Sequence, residues 1–252
     1  MKRMMIMLGF VIGLAGIAAA WQLPFTRMAL MMDGMTRPAL DPYPPYTNLL
    51  ACWYPLETDL IDASSNGIAA AWIGGGVPTF SGGGILMPGN RYVNVTNNWV
   101  YTNLNVQASF VIRAKQPTLQ SASCWVYVRK TSVANSFNGG PNISGGQFLR
   151  LQTNNANRVL YSTGSSMPSN TTHTYAISFS GVTAAAYING IQWASSVGWT
   201  NDALVPATDM RFGEFNTSFI PTNSIIYEIL VYTNALSSNQ QVEVHQWCDA
   251  RD

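Results

Sequence analysis

The sequence predicts an all-β fold closed by one short helix at the C-terminal end. Three observations predict it. From Leu49 onward, short runs rich in Val, Ile, Tyr, Phe, Trp and Thr recur along the chain. Turn clusters separate them, at Gly74-Gly75-Gly76, Gly82-Gly83-Gly84, Asn138 to Pro141 and Asn154 to Asn157. Helical periodicity does not alternate with these runs, and many short strands without intervening helices make a sandwich or a barrel.

The elements follow in order. Lys2 and Arg3 precede an apolar run over residues 4–19 and the small residues Ala18, Ala19 and Ala20. A basic stretch, an apolar stretch and a small-residue site make a signal peptide over residues 1–20, cut after Ala20. Extended to Leu23, the same run reaches the ~20 residues of a membrane-spanning helix, with its positive charges on the cytoplasmic side. An uncleaved anchor over residues 1–23 is therefore the alternative, and both readings place an apolar helix at the N-terminus and the rest of the chain outside the cytoplasm. Residues 21–48 form a Met- and Pro-rich spacer. Pro38, Pro42, Pro44 and Pro45 fix φ and remove backbone donors, so its second half is predicted to be extended.

Residues 49–252 carry the strand pattern. Tyr175, Ile177 and Phe179 alternate with Ala176, Ser178 and Ser180, which predicts one buried face and one lightly covered face. Residues 124–130 and 225–232 carry bulky groups on both faces, as strands central to a sheet or lining a concave face do. Asn189-Gly190, between Ala184 to Ile188 and Ile191 to Ala194, predicts a hairpin with a type I′ turn, which needs positive φ at both central residues. Ser237 followed by Gln240 predicts a capping box that opens a helix containing Val242, Val244 and Trp247.

Three stretches carry a resemblance: Leu49 to Glu57, with Cys52, Trp53 and Tyr54; the Tyr187-Ile188-Asn189-Gly190 turn; and Ser224 to Ser237. Together they resemble the laminin-G-like, concanavalin A-like jelly roll over roughly residues 49–248. The resemblance implies a two-sheet antiparallel jelly-roll sandwich with a short helix docked beside its closing strand. Asp59 to Gly67 is similar to the acidic, glycine-bearing loop after the family's first strand, Arg91 to Val95 to the strand after it, and Ala108 to Lys115 to its long core strand. Members differ in activity, so what carries over is the fold and a loose expectation of binding. In a jelly roll the chain ends come together, so Cys52 on the first strand and Cys248 on the last helix are expected to close a disulfide, leaving Cys124 as a buried thiol.

The chemistry of the sequence is mostly excluded chemistry. Charged residues make up 10% of the chain, against roughly 25% in ordinary soluble domains. The 13 basic residues fall to 11 when Lys2 and Arg3 leave with the leader, against 12 acidic ones, and no basic patch points to nucleic acid. His173 and His245 are the only histidines and no Cys-x-x-Cys pair exists, which argues against zinc. Glycosidases of this fold present paired carboxylates in a Glu-x-Asp-x-x-Glu strand. That pattern is absent here, and Glu214 and Glu228 stand alone on their strands. No catalytic residue is therefore expected, and a glycoside hydrolase would require two carboxylates to converge from different strands.

Two constellations remain. Asp59, Asp62 and Asn66, with Ser64 and Gly67, collect oxygen ligands in one turn-rich loop and are the candidate calcium ligands, although the same residues are ordinary turn chemistry. Trp99, Tyr101 and Trp199 lie among polar neighbours in loop-like segments, where exposed rings stack on sugars. The expected function is an exported, non-catalytic recognition or adhesion module that binds a glycan or a surface protein, secreted or held at a cell or virion surface. The alternative is a structural coat or virion protein that self-associates through its sandwich and N-terminal helix.

Overall fold

The strand-forming runs pair into two antiparallel sheets in a computed structural model, which describes residues 41–95, 107–118, 125–129, 136–141, 147–153, 156–161, 169–180, 183–197, 209–215 and 218–251. The predicted N-terminal helix, most of the spacer, Cys124 and the candidate sugar-stacking residues Trp99, Tyr101 and Trp199 lie outside the described residues.

In chain order the strands are β1 (Leu50–Tyr54), β2 (Ala70–Ile73), β3 (Thr79–Ser81), β4 (Gly84–Met87), β5 (Tyr92–Val95) and β6 (Gln107–Lys115). Then come β7 (Val126–Arg129), β8 (Ser136–Pro141), β9 (Gln147–Thr153), β10 (Ala156–Tyr161), β11 (Thr172–Ser180) and β12 (Thr183–Ile188). The last are β13 (Ile191–Val197), β14 (Asp209–Phe212), β15 (Glu214–Phe215), β16 (Ser218–Phe219) and β17 (Ser224–Tyr232), followed by helix α1 (Ser238–Asp249). One sheet has eight strands in the order β13-β12-β11-β6-β17-β4-β3, with β1 also paired to β17. The other has seven, in the order β10-β9-β8-β7-β14-β5-β2, and β15 and β16 pair as a separate two-stranded ribbon. β17 pairs β6 along one edge and divides its other edge between β4, through Ser224 to Ile226, and β1, through Ile229 to Tyr232. The two bulky segments of the sequence thus fall on interior strands, paired along both edges: β7 between β8 and β14, and β17 between β6 and its two short partners.

Alternation along the strands sorts side chains into two cores. Phe110 and Ile112 of β6, Tyr175, Ile177 and Phe179 of β11, Ile229 and Val231 of β17, and Val93, Trp125 and Phe212 from the facing sheet are buried in one cluster between the sheets. Each large side chain removed from water there contributes about 1.5–3 kcal/mol. Val111, Ala176, Ala185, Tyr187 and Leu230 point the other way and form a second cluster with Val244, Trp247 and Cys248 of α1.

The outer face of β11 corrects the sequence reading. Ala176 and Ser178 are not lightly covered but buried, because α1 lies over them. Their small size lets the helix come close, and the hydroxyls are absorbed into a network. Gln241 Nε2 donates to Ser178 Oγ at 2.7 Å, Ser178 and Ser109 share a 2.6 Å bond, and Leu236 N donates to Ser109 Oγ at 2.8 Å. The capping box forms as predicted, with the Ser237 side chain accepting from Gln240 N and the Gln240 side chain accepting from Ser237 N. Asn189 and Gly190 adopt positive φ of 50° and 75°, as the predicted hairpin turn requires.

At the start of the sandwich, the ring of Tyr43 lies edge-on to Trp53, 6.4 Å between centroids, and Trp53 meets Trp247 in the same way at 5.7 Å. Tyr232 donates its phenol proton to the Pro45 carbonyl at 3.2 Å, and Tyr46 bonds Glu243 of α1. Residues 43–46 therefore strap the outer core.

The expected disulfide is not present: Cys52 and Cys248 are both buried free thiols. Cys52 pairs with Val231 and joins the core between the sheets, whereas Cys248 belongs to the core beneath α1. The eight-stranded sheet lies between them. The two ends of the sandwich do approach, but through Arg251 and Glu57, whose Nη2 and Oε1 are 2.9 Å apart.

Candidate functional site

The β2–β3 loop and the β4–β5 loop form a cleft where the edges of the two sheets meet. Its walls are Trp72, the Gly75-Gly76-Val77 turn, Thr79, Leu86, Pro88, Arg91, Thr222 and Asn223, and its volume is about 270 Å³. Gly74 is needed because its φ of 116° is closed to most side chains and because a Cβ there would lie 2.7 Å from Arg91 Cδ. The glycine run thus lets the Arg91 side chain pass the loop. Val77 is 87% exposed at the lip. An indole, a guanidinium, two hydroxyls and an amide around an apolar floor are the donors, acceptors and flat surface that hold a small polar ring.

Beyond this cleft, the outer face of the seven-stranded sheet carries an arginine between two tyrosines. Arg211 on β14 is paired across the sheet with Asn94 on β5 and Tyr127 on β7. Its guanidinium carbon lies 4.8 Å from the Tyr92 ring centroid and 5.8 Å from that of Tyr127. Glu214 is buried and accepts from Arg211 Nη1 at 2.5 Å. The backbone register continues the row through Asn138 of β8 and Arg150 of β9.

A second pocket of about 190 Å³ opens on the outer face of the eight-stranded sheet, lined by Pro55, Glu57, Gly82, Gly83, Arg113, Tyr227, Glu228 and Arg251. Glu228 is cross-strand partner to Arg113. Arg251 Nε stands 2.7 Å from Glu228 Oε1, and the same guanidinium reaches Glu57. Arg251 also stacks on Trp247 at 4.9 Å and on Trp53 at 5.7 Å, and Arg113 stacks on Tyr227 at 4.8 Å. Burial pushes the Glu228 carboxyl above its ordinary range although Arg251 and Arg113 oppose the shift.

The candidate calcium loop is built differently from a cation cage. Asp62 Oδ1 accepts from Trp53 N and Ser64 N, both at 2.9 Å, while Oδ2 accepts from Ser64 Oγ and Ile68 N, both at 2.8 Å. Four donors fill the acceptor positions of one carboxylate, so a cation would have to displace bonds that hold the loop to β1. Asn66 Nδ2 donates to the Leu50 and Ala51 carbonyls at 3.0 and 2.9 Å. Asp59 is exposed and accepts from Ile61 N at 2.9 Å. Among the described residues no group of three or more His, Cys, Asp or Glu is placed to share a metal.

His173 sits inside the eight-stranded sheet rather than at an edge. It is buried, with Nδ1 3.2 Å from Asn189 Nδ2, while His245 Nδ1 lies 3.3 Å from Thr174 Oγ1. Arg91, Arg113 and Arg251 went unnoticed in the sequence because nothing local marks an arginine whose neighbours come from other strands. The one legible signal was the Gly74-Gly75-Gly76 run, which reads as a turn but also shapes the cleft.

No family model and no curated protein matches the chain. Solved structures do. Domain 4 of AbnA, an extracellular GH43 arabinanase from Geobacillus stearothermophilus in complex with arabinotriose, superposes with a TM-score of 0.66 at 19% identity, over 78% of this chain and 98% of that one. A structure of botulinum neurotoxin type C, concerned with its dependence upon interaction with two ganglioside molecules, gives 0.62 at 14% identity, over 79% of this chain and 51% of that one. The binding domain of botulinum neurotoxin DC in complex with rat synaptotagmin II gives 0.61 at 14% identity, over 79% and 52%. The chain spans about half the length of the two neurotoxin chains. At these identities the likeness establishes the fold: an all-β, two-sheet antiparallel sandwich with a C-terminal helix.

Proposed function

We propose that the chain is an exported, non-catalytic recognition module of the laminin-G-like type that binds a glycan through the cleft between its sheet edges. The observation that carries this reading is the cleft itself, where Trp72 and Arg91 stand with Thr222 and Asn223 around a space of about 270 Å³. Two of the similar structures involve an arabinotriose and gangliosides, which supports a carbohydrate as the ligand class. The third holds a protein partner, so a glycan on a surface protein fits equally well. The leader delivers the module outside the cytoplasm, and the spacer carries it from whatever anchors it.

The test is a glycan array probed with the full chain, arabino-oligosaccharides and ganglioside headgroups included, followed by titration of any hit. Arg91→Ala is expected to weaken binding at least about tenfold, which is about 1.4 kcal/mol, with an unchanged melting temperature. A chain that binds no glycan and purifies from its source as an ordered multimer overturns this reading in favour of a structural assembly role.

A further inference from the structure

The cleft between the sheet edges holds one charge with nothing to balance it. Arg91 is half-buried and lines the cleft, and no residue in the cleft walls carries a carboxylate. Other arginines of the sandwich do face acids. Arg211 meets Glu214, Arg251 meets Glu57 and Glu228, and Arg113 lies across the strand pair from Glu228. Among the described residues no acid pairs with Arg91. A guanidinium cannot shed its proton in a protein, and drawing a charge out of water is unfavourable unless a partner meets it. The partner that Arg91 lacks inside the fold is a negative charge brought into the cleft.

The β2–β3 loop is cut to the shape of that side chain. A Cβ on Gly74 would lie 2.7 Å from Arg91 Cδ and 2.9 Å from Nη1, and one on Gly75 would lie 3.5 Å from Nη1. Two glycines, which lose more freedom on folding than any other residue, thus clear the place of one guanidinium. Its surroundings are neutral. Thr222 Oγ1 donates its proton to the Pro88 carbonyl at 3.2 Å, which leaves the oxygen as an acceptor. Asn223 is exposed at a φ of 67°, held there by its backbone N–H, which donates to the Met87 carbonyl at 2.9 Å. Trp72 is half-buried, so part of its indole remains open to the cleft. One cation beside a hydroxyl, an amide and an aromatic surface suits one negative charge on a polyhydroxyl body.

We propose that the glycan taken by the cleft is an acidic one, whose ring carboxylate pairs with Arg91 and whose hydroxyls meet Thr222 and Asn223. The assignment rests on the cleft being the glycan site of the proposed function, and it adds the class of sugar. A carboxylate is planar with two oxygens and matches the guanidinium fork two bonds to two. It also brings one charge to one arginine, whereas a phosphate monoester brings about −1.5 to −2. The volume of about 270 Å³ is roughly nine times the ~30 Å³ share of a liquid water, room for one ring and its acid group.

The experiment labels the arginines of the full chain with nitrogen-15 and follows the Arg91 Nε–H signal, identified by its loss in Arg91→Lys. The probes are the methyl glycosides of glucuronic, galacturonic and N-acetylneuraminic acids, each beside its own carboxamide and each to about 50 mM, well above a millimolar dissociation constant. At least one acid is expected to move the signal saturably, and its carboxamide, the same ring without the charge, to bind at least tenfold more weakly. Saturation transfer to the sugar protons then reads the variants. Arg91→Ala is expected to abolish the preference for the acid, whereas Asn223→Gly, which suits the left-handed backbone, weakens acid and carboxamide alike. If Arg91→Ala does not fold, Arg91→Lys carries the test, because charge without the fork is expected to weaken the acid and not the carboxamide. A carboxamide that binds as tightly as its acid, or neutral glycans that bind where none of the acids does, overturns the acidic assignment and leaves the cleft a glycan site. A preference that survives in Arg91→Ala overturns it as well. Binding of no glycan at all, acid or neutral, overturns both readings.

Discussion

Arg251 Nε stands 2.7 Å from Glu228 Oε1 and so joins the second residue after the last helix to the middle of β17. Its guanidinium also contacts Glu57, Trp53 and Trp247, drawing both ends of the sandwich together. Removing it would leave Glu228 buried with Arg113 alone nearby. Breaking one partner of a buried pair costs about 3–5 kcal/mol. Arg251 is partly exposed and Arg113 remains, so Arg251→Ala is expected to cost about 2 kcal/mol in urea unfolding. Arg251→Lys should recover only part of that, since an ammonium cannot reach both carboxylates in the same fork. A cost within experimental error for Arg251→Ala would show that the pair is ornamental.

One buried group and one half-buried group give opposite pH dependences. The folded Glu228 carboxyl is raised above its ordinary 4.5, mainly by burial, so above pH 4.5 the folded state keeps a proton that the unfolded chain has released. Stability from this group is therefore present at the acid end and falls as pH rises through that window. His245 is lowered below 6.5, also mainly by burial, so its contribution is lost as pH falls below 6.5. The groups facing Glu228 are Arg251, Arg113, Glu57 and Cys248. Subtracting the unfolding profile of Glu228→Gln from that of the unaltered chain isolates the carboxyl. The difference should turn against the unaltered chain as pH rises above 4.5, and a flat difference would refute the assignment.

Burial also raises the Cys52 and Cys248 thiols well above the ordinary thiol range, which leaves little of the reactive thiolate at neutral pH. Both are expected to resist an alkylating reagent in the native chain and to react in denaturant, with no disulfide-linked peptide joining them in a non-reducing digest. Recovery of a Cys52–Cys248 peptide would mean that α1 or β1 sits differently from the arrangement described.

The thiols show where the sequence stopped being legible. Local signals were read correctly: the Asn189-Gly190 turn, the Ser237 and Gln240 capping box and the central placement of Val126 to Arg129 and Ser224 to Tyr232 depend on residues a few positions apart. Questions of which face a side chain takes across the sheet were not. Sandwich ends that approach do not put Cys52 and Cys248 on one face, because a bulge between Leu50 and Cys52 sets the β1 register. Ser178 looked solvent-facing because the strand pattern could not say that Gln241 would reach it. The clefts were invisible for the same reason, since Arg91 and Trp72 come to line one cleft, and Glu228 meets Arg251, only through tertiary structure.

Asp62 is expected to act as the clasp between its loop and β1. It accepts four hydrogen bonds, from Trp53 N, Ser64 N, Ser64 Oγ and Ile68 N. Asp62→Ala strands the buried Trp53 and Ile68 amides and should cost about 2–4 kcal/mol. If the role is the clasp, the loss is the same with calcium or with a chelator present, and the melting temperature of the unaltered chain does not change between the two. A calcium-dependent rise would instead make Asp59, Asp62 and Asn66 ligands.

Gly190 tests whether the hairpin turn serves the helix as well as the strands. Its φ of 75° alone penalises any side chain, but a Cβ there would also lie 2.8 Å from Val242 Cα and 3.3 Å from the Gln241 carbonyl oxygen. Backbone cannot rotate aside as a side chain can, so relief requires α1 to shift, and the shift would break the Gln241 to Ser178 bond beneath it. A left-handed alanine costs about 1–2 kcal/mol. Gly190→Ala is therefore expected to lose more than that strain, about 3 kcal/mol in all. The distinguishing readout is hydrogen exchange. If the turn only joins β12 to β13, protection falls in those two strands; if it seats the helix, protection falls first across Val244 to Cys248.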